Sequence, residues 1–248
     1  MLLRTVPCRR AAAPIALIAL AALLTACATN PVRPPAAAPA LTPPSASAPE
    51  SQDAYYRAAR ARGEKVLSID TQASLISIVV RRGGSLARLG HDHVVASRAI
   101  EGHIAPDQGR ADLRFRLDQM TVDEAALRTA AGFDSQPSAD AIAGTRHNML
   151  SKVLDAERFP LVLMHVTRVA PGAPLGIDIT LHGVTRRLSV PVTLAEDAAG
   201  GLVVSGSASL NQTDFGLVPF SVMGGAIAVR DRLELHFRIV GAKTTSAQ

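Results

Sequence analysis

The sequence predicts a mainly β domain, built of antiparallel strands in a closed up-and-down barrel or a sandwich, with one or two helices inserted midway. Three observations carry this. Apolar residues alternate with polar ones at period two from Val66 almost to the end of the chain. Turn signals separate these runs, and one central stretch switches to helical spacing.

Leu67 and Ile69 open the alternation, and Ile76, Ile78 and Val80 continue it. Residues 112–118 read DLRFRLD, apolar on one face and charged on the other. That pattern fits half-buried antiparallel strands with one side in water. Residues 161–169, 177–181, 188–194, 202–210 and 227–240 repeat it; in the last, Leu233, Leu235, Phe237 and Ile239 oppose Glu234, His236 and Arg238. Gly83-Gly84, Pro106-Asp107-Gln108-Gly109, Pro171-Gly172, Gly200-Gly201 and Gly224-Gly225 supply the turns. Ile142, Met149, Leu150, Val153 and Leu154 fall at helix spacing across 140–155, with Pro160 as the stop, and shorter helices are expected over 123–131 and 52–65. About eight strands result, the number of a small closed barrel.

The first 26 residues read as an export signal. Arg4, Arg9 and Arg10 precede an apolar run over 11–24, too short for a comfortable membrane span. Leu24-Thr25-Ala26-Cys27 resembles the bacterial lipobox, in which the cysteine thiol is acylated and becomes the mature N-terminus. Ala28 resembles the residue found in lipoproteins sent to the outer membrane, so the expected location is the cell envelope, facing the periplasm. Residues 27–65 then form the acylated N-terminus and a tether, rich in Pro, Ala and Ser over 30–50, which favours extended polyproline conformation. The folded domain is expected over 66–243, with a short tail at 244–248.

Cysteine and charge exclude two classes. The two cysteines are Cys8 and Cys27, so the domain has no thiol for a disulfide framework. Of 26 Lys and Arg, eight precede Val66, as do three of 21 acids, leaving 18 of each from Val66 onward. A neutral domain with 3% aromatic residues lacks the electrostatic footprint of a nucleic-acid binder.

Residues 181–192, LHGVTRRLSVPV, resemble the hallmark hairpin of the YceI family. Residues 211–217 (NQTDFGL), 156–160 (AERFP), 67–70 (LSID) and 227–239 resemble further family segments, in the family's order, over nearly all of 66–241. The resemblance implies an extended, lipocalin-like antiparallel barrel whose lumen takes an isoprenoid or similar amphiphilic lipid, without enzymatic activity. It also implies a carrier or stress-related role, and homo-oligomers are compatible with it. Alternation alone does not separate a hollow barrel from one filled by its own side chains.

Gly90-His91-Asp92-His93 departs from the family pattern. Two histidines two apart on a strand share a side. His91 and His93 are therefore candidates for a polar rim, for contact with a lipid head group, for acid–base chemistry, or for a transition-metal site completed by His147, His182 or His103. Arg146 and His182 are further candidates for the head-group contact. A scaffold that binds another protein through exposed sheet edges is the remaining alternative. Asp214-Phe215-Gly216 matches the kinase magnesium tripeptide by chance, since no Gly-rich loop or catalytic loop accompanies it, and no nucleophile elbow or phosphate loop is present.

Overall fold

Thirteen strand segments form one antiparallel sheet in the computed structural model of the chain, which describes residues 49–197 and 199–243. The expected export signal, with Cys27, the part of the expected tether before residue 49, and the tail 244–248 lie outside the described residues. The segments are β1 (Leu67–Ile69), β2 (Leu75–Gly83), β3 (His93–Ser97), β4 (Glu101–Ala105), β5 (Arg110–Arg116), β6 (Thr121–Val122) and β7 (Leu161–Thr167). They continue with β8 (Leu175–Leu181), β9 (Val184–Val190), β10 (Val192–Glu196), β11 (Leu202–Asn211), β12 (Ser221–Val222) and β13 (Ile227–Lys243).

Several segments are halves of one broken strand. β1 and β2 lie one after the other along the same edge of β13, separated by a turn in which Asp70 accepts the Gln72 and Ala73 N–H groups. β3 and β4 follow β2 and β1, and β6 and β5 follow β3 and β4 across a 3-10 turn at Leu117–Gln119. β11 and β12 share the other edge of β13. Joined this way, and with β9 and β10 counted as one strand bent at Pro191, the thirteen segments become eight strands in sequential antiparallel order, the up-and-down arrangement that the alternation predicts.

The hydrogen-bonded ladder is not continuous around the barrel; the chain itself spans the break at Pro191. β9 pairs with β8, and β10 pairs with β11, so the hydrogen-bonded ladder changes partner across a residue with no N–H to donate. The sequence reads 188–194 as one run; the proline divides it. The β8–β9 hairpin turns through His182 (φ 52°) and Gly183 (φ 74°), both left-handed as a two-residue primed turn requires.

β3 was not legible as a strand, because Val94, Val95 and Ala96 are buried on both faces and do not alternate. Its outer side is covered by the segment carrying α2 (Ala125–Ala130), whose Arg128 donates to the Asp92 carbonyl at 2.7 Å. α3 (Ala139–Asn148) is capped by Ser138, whose hydroxyl accepts the Ala141 N–H, and runs on as a π-helical turn at Met149–Val153. That turn brings Met149, Val153 and Leu154 onto the core from one end of the barrel.

The first helix, expected over 52–65, is α1 (Pro49–Ala61) and stops earlier because Gly63 takes φ 80° behind it. α1 packs on the outer face of the sheet with Tyr56 and Ala59 fully buried, so the residues just before Val66 belong to the compact body. No helix among the described residues is long and apolar enough to cross a membrane.

Candidate functional site

Inward-facing residues leave the barrel hollow. A cavity of about 690 Å³ lies inside, a size in the range of small-molecule sites. Its wall takes every second residue of the long strands: Ile76, Ile78 and Val80 from β2; Ala111, Leu113 and Phe115 from β5; Ile177 and Ile179 from β8; Leu233, Leu235, Phe237 and Ile239 from β13. Both Ile227 and Ile239 line it, so the cavity follows most of the length of β13. Gly206 helps keep this wall smooth: a side chain there would meet the Phe237 ring across the strand pair.

Polar groups gather at the two ends. One end carries Lys65, Asp107, Arg110, Arg168 and Glu196; the other carries Arg82, His91, His93, Asn148 and Gln212. Between them the wall is aliphatic apart from a few phenylalanines and methionines, which suits a flexible hydrocarbon chain gaining about 0.8 kcal/mol per buried methylene.

His93 is the most constrained of these polar groups. It opens β3, and its Nδ1 lies 2.6 Å from Oδ2 of Asp123. Asp123 is fully buried at φ 57° after β6. Its other oxygen accepts the Val94 N–H at 3.0 Å and Nη1 of Arg128 at 2.7 Å. Arg128, itself buried, donates also to the Ser135 and Asp92 carbonyls, and its guanidinium lies over the Phe133 ring at 5.1 Å. Burial alone would raise the Asp123 pKa, but the hydrogen bonds from His93, Val94 and Arg128 outweigh it and hold the carboxyl below its ordinary value. A carboxylate has no proton to give, so the proton between the two rests on Nδ1 of His93.

His91 precedes β3 and is exposed, with its ring centroid 6.1 Å from that of His93. Arg82 is tied to Asp92, which accepts the Arg82 backbone N–H at 2.8 Å and lies 3.6 Å from its Nε. The other sequence candidates stand elsewhere. Arg146 donates to the Asp118 and Met120 carbonyls; His182 sits at the β8–β9 turn with its ring 4.5 Å from Phe159; His147 is exposed on α3. None of the three lines the cavity, and His103 lies beneath α1 beside Tyr56. Among the described residues no three His, Cys, Asp or Glu side chains cluster as a metal site would need, so the set of His91, His93 and His147 is not assembled. Asp123, Arg128 and Arg82 were missed in the sequence. An aspartate ahead of a helix reads as a cap, and nothing local shows that its carboxylate turns back to β3.

The YceI-like domain family matches residues 68–241. Among solved structures, the chain is similar to a polyisoprenoid binding domain from Saccharophagus degradans implicated in plant cell wall breakdown, at 13% identity and a TM-score of 0.51, covering 71% of this chain and 98% of that one. It is similar also to Burkholderia cenocepacia BcnA, at 17% identity and a TM-score of 0.50, covering 69% of this chain and 98% of that one. These likenesses concern the fold. No curated protein matches the chain. With the eight-strand barrel, its hairpin signature and a family match over most of its length, the chain belongs to the YceI-like domain family.

Proposed function

We propose that this protein is a non-enzymatic carrier that holds an isoprenoid or related amphiphilic lipid inside the barrel, tethered to the envelope through acylated Cys27. The single observation that carries the reading is the long aliphatic cavity of about 690 Å³. A hollow that size lined by Leu, Ile and Val costs packing energy unless something fills it. The Saccharophagus degradans domain of the same fold is described as polyisoprenoid binding, which agrees with that occupant. Leu89, Val218 and Met223 on the connecting segments, with Val222 of β12, are exposed at the His93 end and offer an apolar rim through which a chain can pass. The Cys27 motif and Ala28 support attachment to the outer membrane, facing the periplasm.

Native mass spectrometry of protein extracted mildly from its own membrane tests the carrier reading. One co-purifying lipid per chain is expected, and a lipid-free chain that takes up no added amphiphile overturns it. Replacement of Cys27 by Ser is expected to move the protein from the membrane fraction to the soluble periplasmic fraction. Retention in the membrane overturns the anchor.

A further inference from the structure

We propose that the His93–Asp123 pair is a head-group site selecting lipids that end in an uncharged hydroxyl, an alcohol or a phenol, over ethers and over anionic phosphates. The inference rests on the carrier reading and adds the ligand's polar end to it.

The argument runs through one ring. His93 lines the cavity and Asp123 does not, so Asp123 holds the ring from behind, by Nδ1, at 2.6 Å. His93 is the cross-strand partner of Val80 and lines the lumen with it, so the ring edge left free by Asp123, which carries Nε2, is the one available to a ligand there. With Nδ1 committed as donor, neutral His93 offers Nε2 only as an acceptor. What completes it is a ligand group that donates a hydrogen bond. Asp123 in turn is held by the Val94 N–H and Arg128, so the ring is fixed before any ligand arrives.

Charge accounting at this end separates a neutral donor from an anion. Asp123 is already matched by Arg128 at 2.7 Å, and Arg82, the cation on this part of the wall, is matched by Asp92 at 3.6 Å. An anionic head would bring a negative charge to an end where, among the described residues, the one arginine lining the cavity already pairs with Asp92. The far end of the cavity, with Lys65, Arg110 and Arg168 beside Asp107 and Glu196, is the more highly charged one. A hydroxyl asks for neither charge: it gives its proton to Nε2 and leaves its chain in the lumen.

Geranylgeraniol, its methyl ether and geranylgeranyl diphosphate share one chain and differ only in the head. Their affinities for the full chain can be ranked by displacement of a fluorescent lipid probe. The alcohol is expected to bind about tenfold tighter than the ether, the worth of one buried hydrogen bond. His93→Phe keeps the ring shape and removes the acceptor, so it should abolish this preference while ether affinity changes by no more than about twofold, which also shows that the variant is folded. Equal binding of alcohol and ether in the native chain, or a preference that survives His93→Phe, overturns the head-group site and leaves the carrier reading standing. Tightest binding of the diphosphate overturns the uncharged class. Binding of none of the three overturns the carrier reading and this inference with it. A phenolic head is separated from an alcohol by repeating the ranking with a prenylated hydroquinone and its quinone. The hydroquinone should bind tighter, because the quinone has no proton to donate.

Discussion

The Tyr56 hydroxyl donates to Oδ2 of Asp112 at 2.7 Å, joining α1 to the outer face of β5 across 56 residues of chain. Asp112 is buried and takes two more bonds there, from Nδ1 of His165 at 2.6 Å and Nε of Arg110 at 2.9 Å. Burial, and then the Asp112 carboxylate, push the Tyr56 pKa up, so the phenol stays protonated and donates. Replacing Tyr56 with Phe should cost about 1.5–3 kcal/mol, the range for a hydrogen bond to a charged group. Hydrogen exchange should quicken first in α1, with the strands of the barrel still protected.

Acid should act through the same carboxylates. Burial works to raise the pKa of Asp112 and of Asp123, but hydrogen bonds from His165, Tyr56 and Arg110 to the first, and from His93, Val94 and Arg128 to the second, leave both below the ordinary value. A carboxyl depressed in the folded state contributes stability above its unfolded pKa, near 3.9 by the usual reference, and loses it as pH falls through the folded value. Thermal melts should therefore be flat on this account from neutral pH to about pH 5 and fall steeply below about pH 4. Asp112→Asn should lower the plateau and make the acid limb shallower.

Arg128 and Asp123 form a buried pair whose members are about equally inaccessible. Removing Arg128 alone, as Arg128→Ala, strands a buried carboxylate and should cost about 3–5 kcal/mol in chemical denaturation. The Asp123→Ala/Arg128→Ala double variant should recover part of that loss. Strict additivity of the two single changes would show that the pair is uncoupled.

Filling the lumen should separate binding from stability. Ala208 lines the cavity on β11, opposite Leu235 of β13. Ala208→Trp places an indole into space the barrel leaves hollow, so the melting temperature should hold or rise while bound lipid drops by more than about tenfold. Native mass spectrometry and a thermal melt on one sample check both. Unchanged lipid content would move the site out of the barrel.

Gly102 tests the barrel wall. Its φ of 144° is open to glycine, and a Cβ there would collide with the Asp112 carbonyl across the β4–β5 pair. Gly102→Ala should destabilise by about 1–3 kcal/mol or more, read as a lowered denaturation midpoint.

The strands most legible in the sequence are those with one wet face. Residues 112–118 and 233–239 alternate because a barrel wall has an apolar inside and a charged outside, and the pleat repeats every two residues. Residues 156–160 and 181–192 carried the family for a similar reason: the β8–β9 turn demands particular residues at His182 and Gly183 wherever the rest of the chain goes. β3 was lost where a covering segment dries the outer face and the alternation disappears. His91 and His93 stood out by composition, yet only His93 has a buried partner.

By itself, then, the sequence determined the β class, the family and the expectation of an acylated leader, all matters of local chemistry within a few residues. Tertiary structure decided that the barrel is hollow, that Pro191 bridges the gap in its ladder, and that Asp123 holds His93 across 30 residues of chain. Hollow and filled barrels share one alternating pattern, because the pattern records which side chains avoid water and not how much space they leave between them. Whether a histidine points into such a space depends on contacts made only when distant strands close, and no local period encodes those.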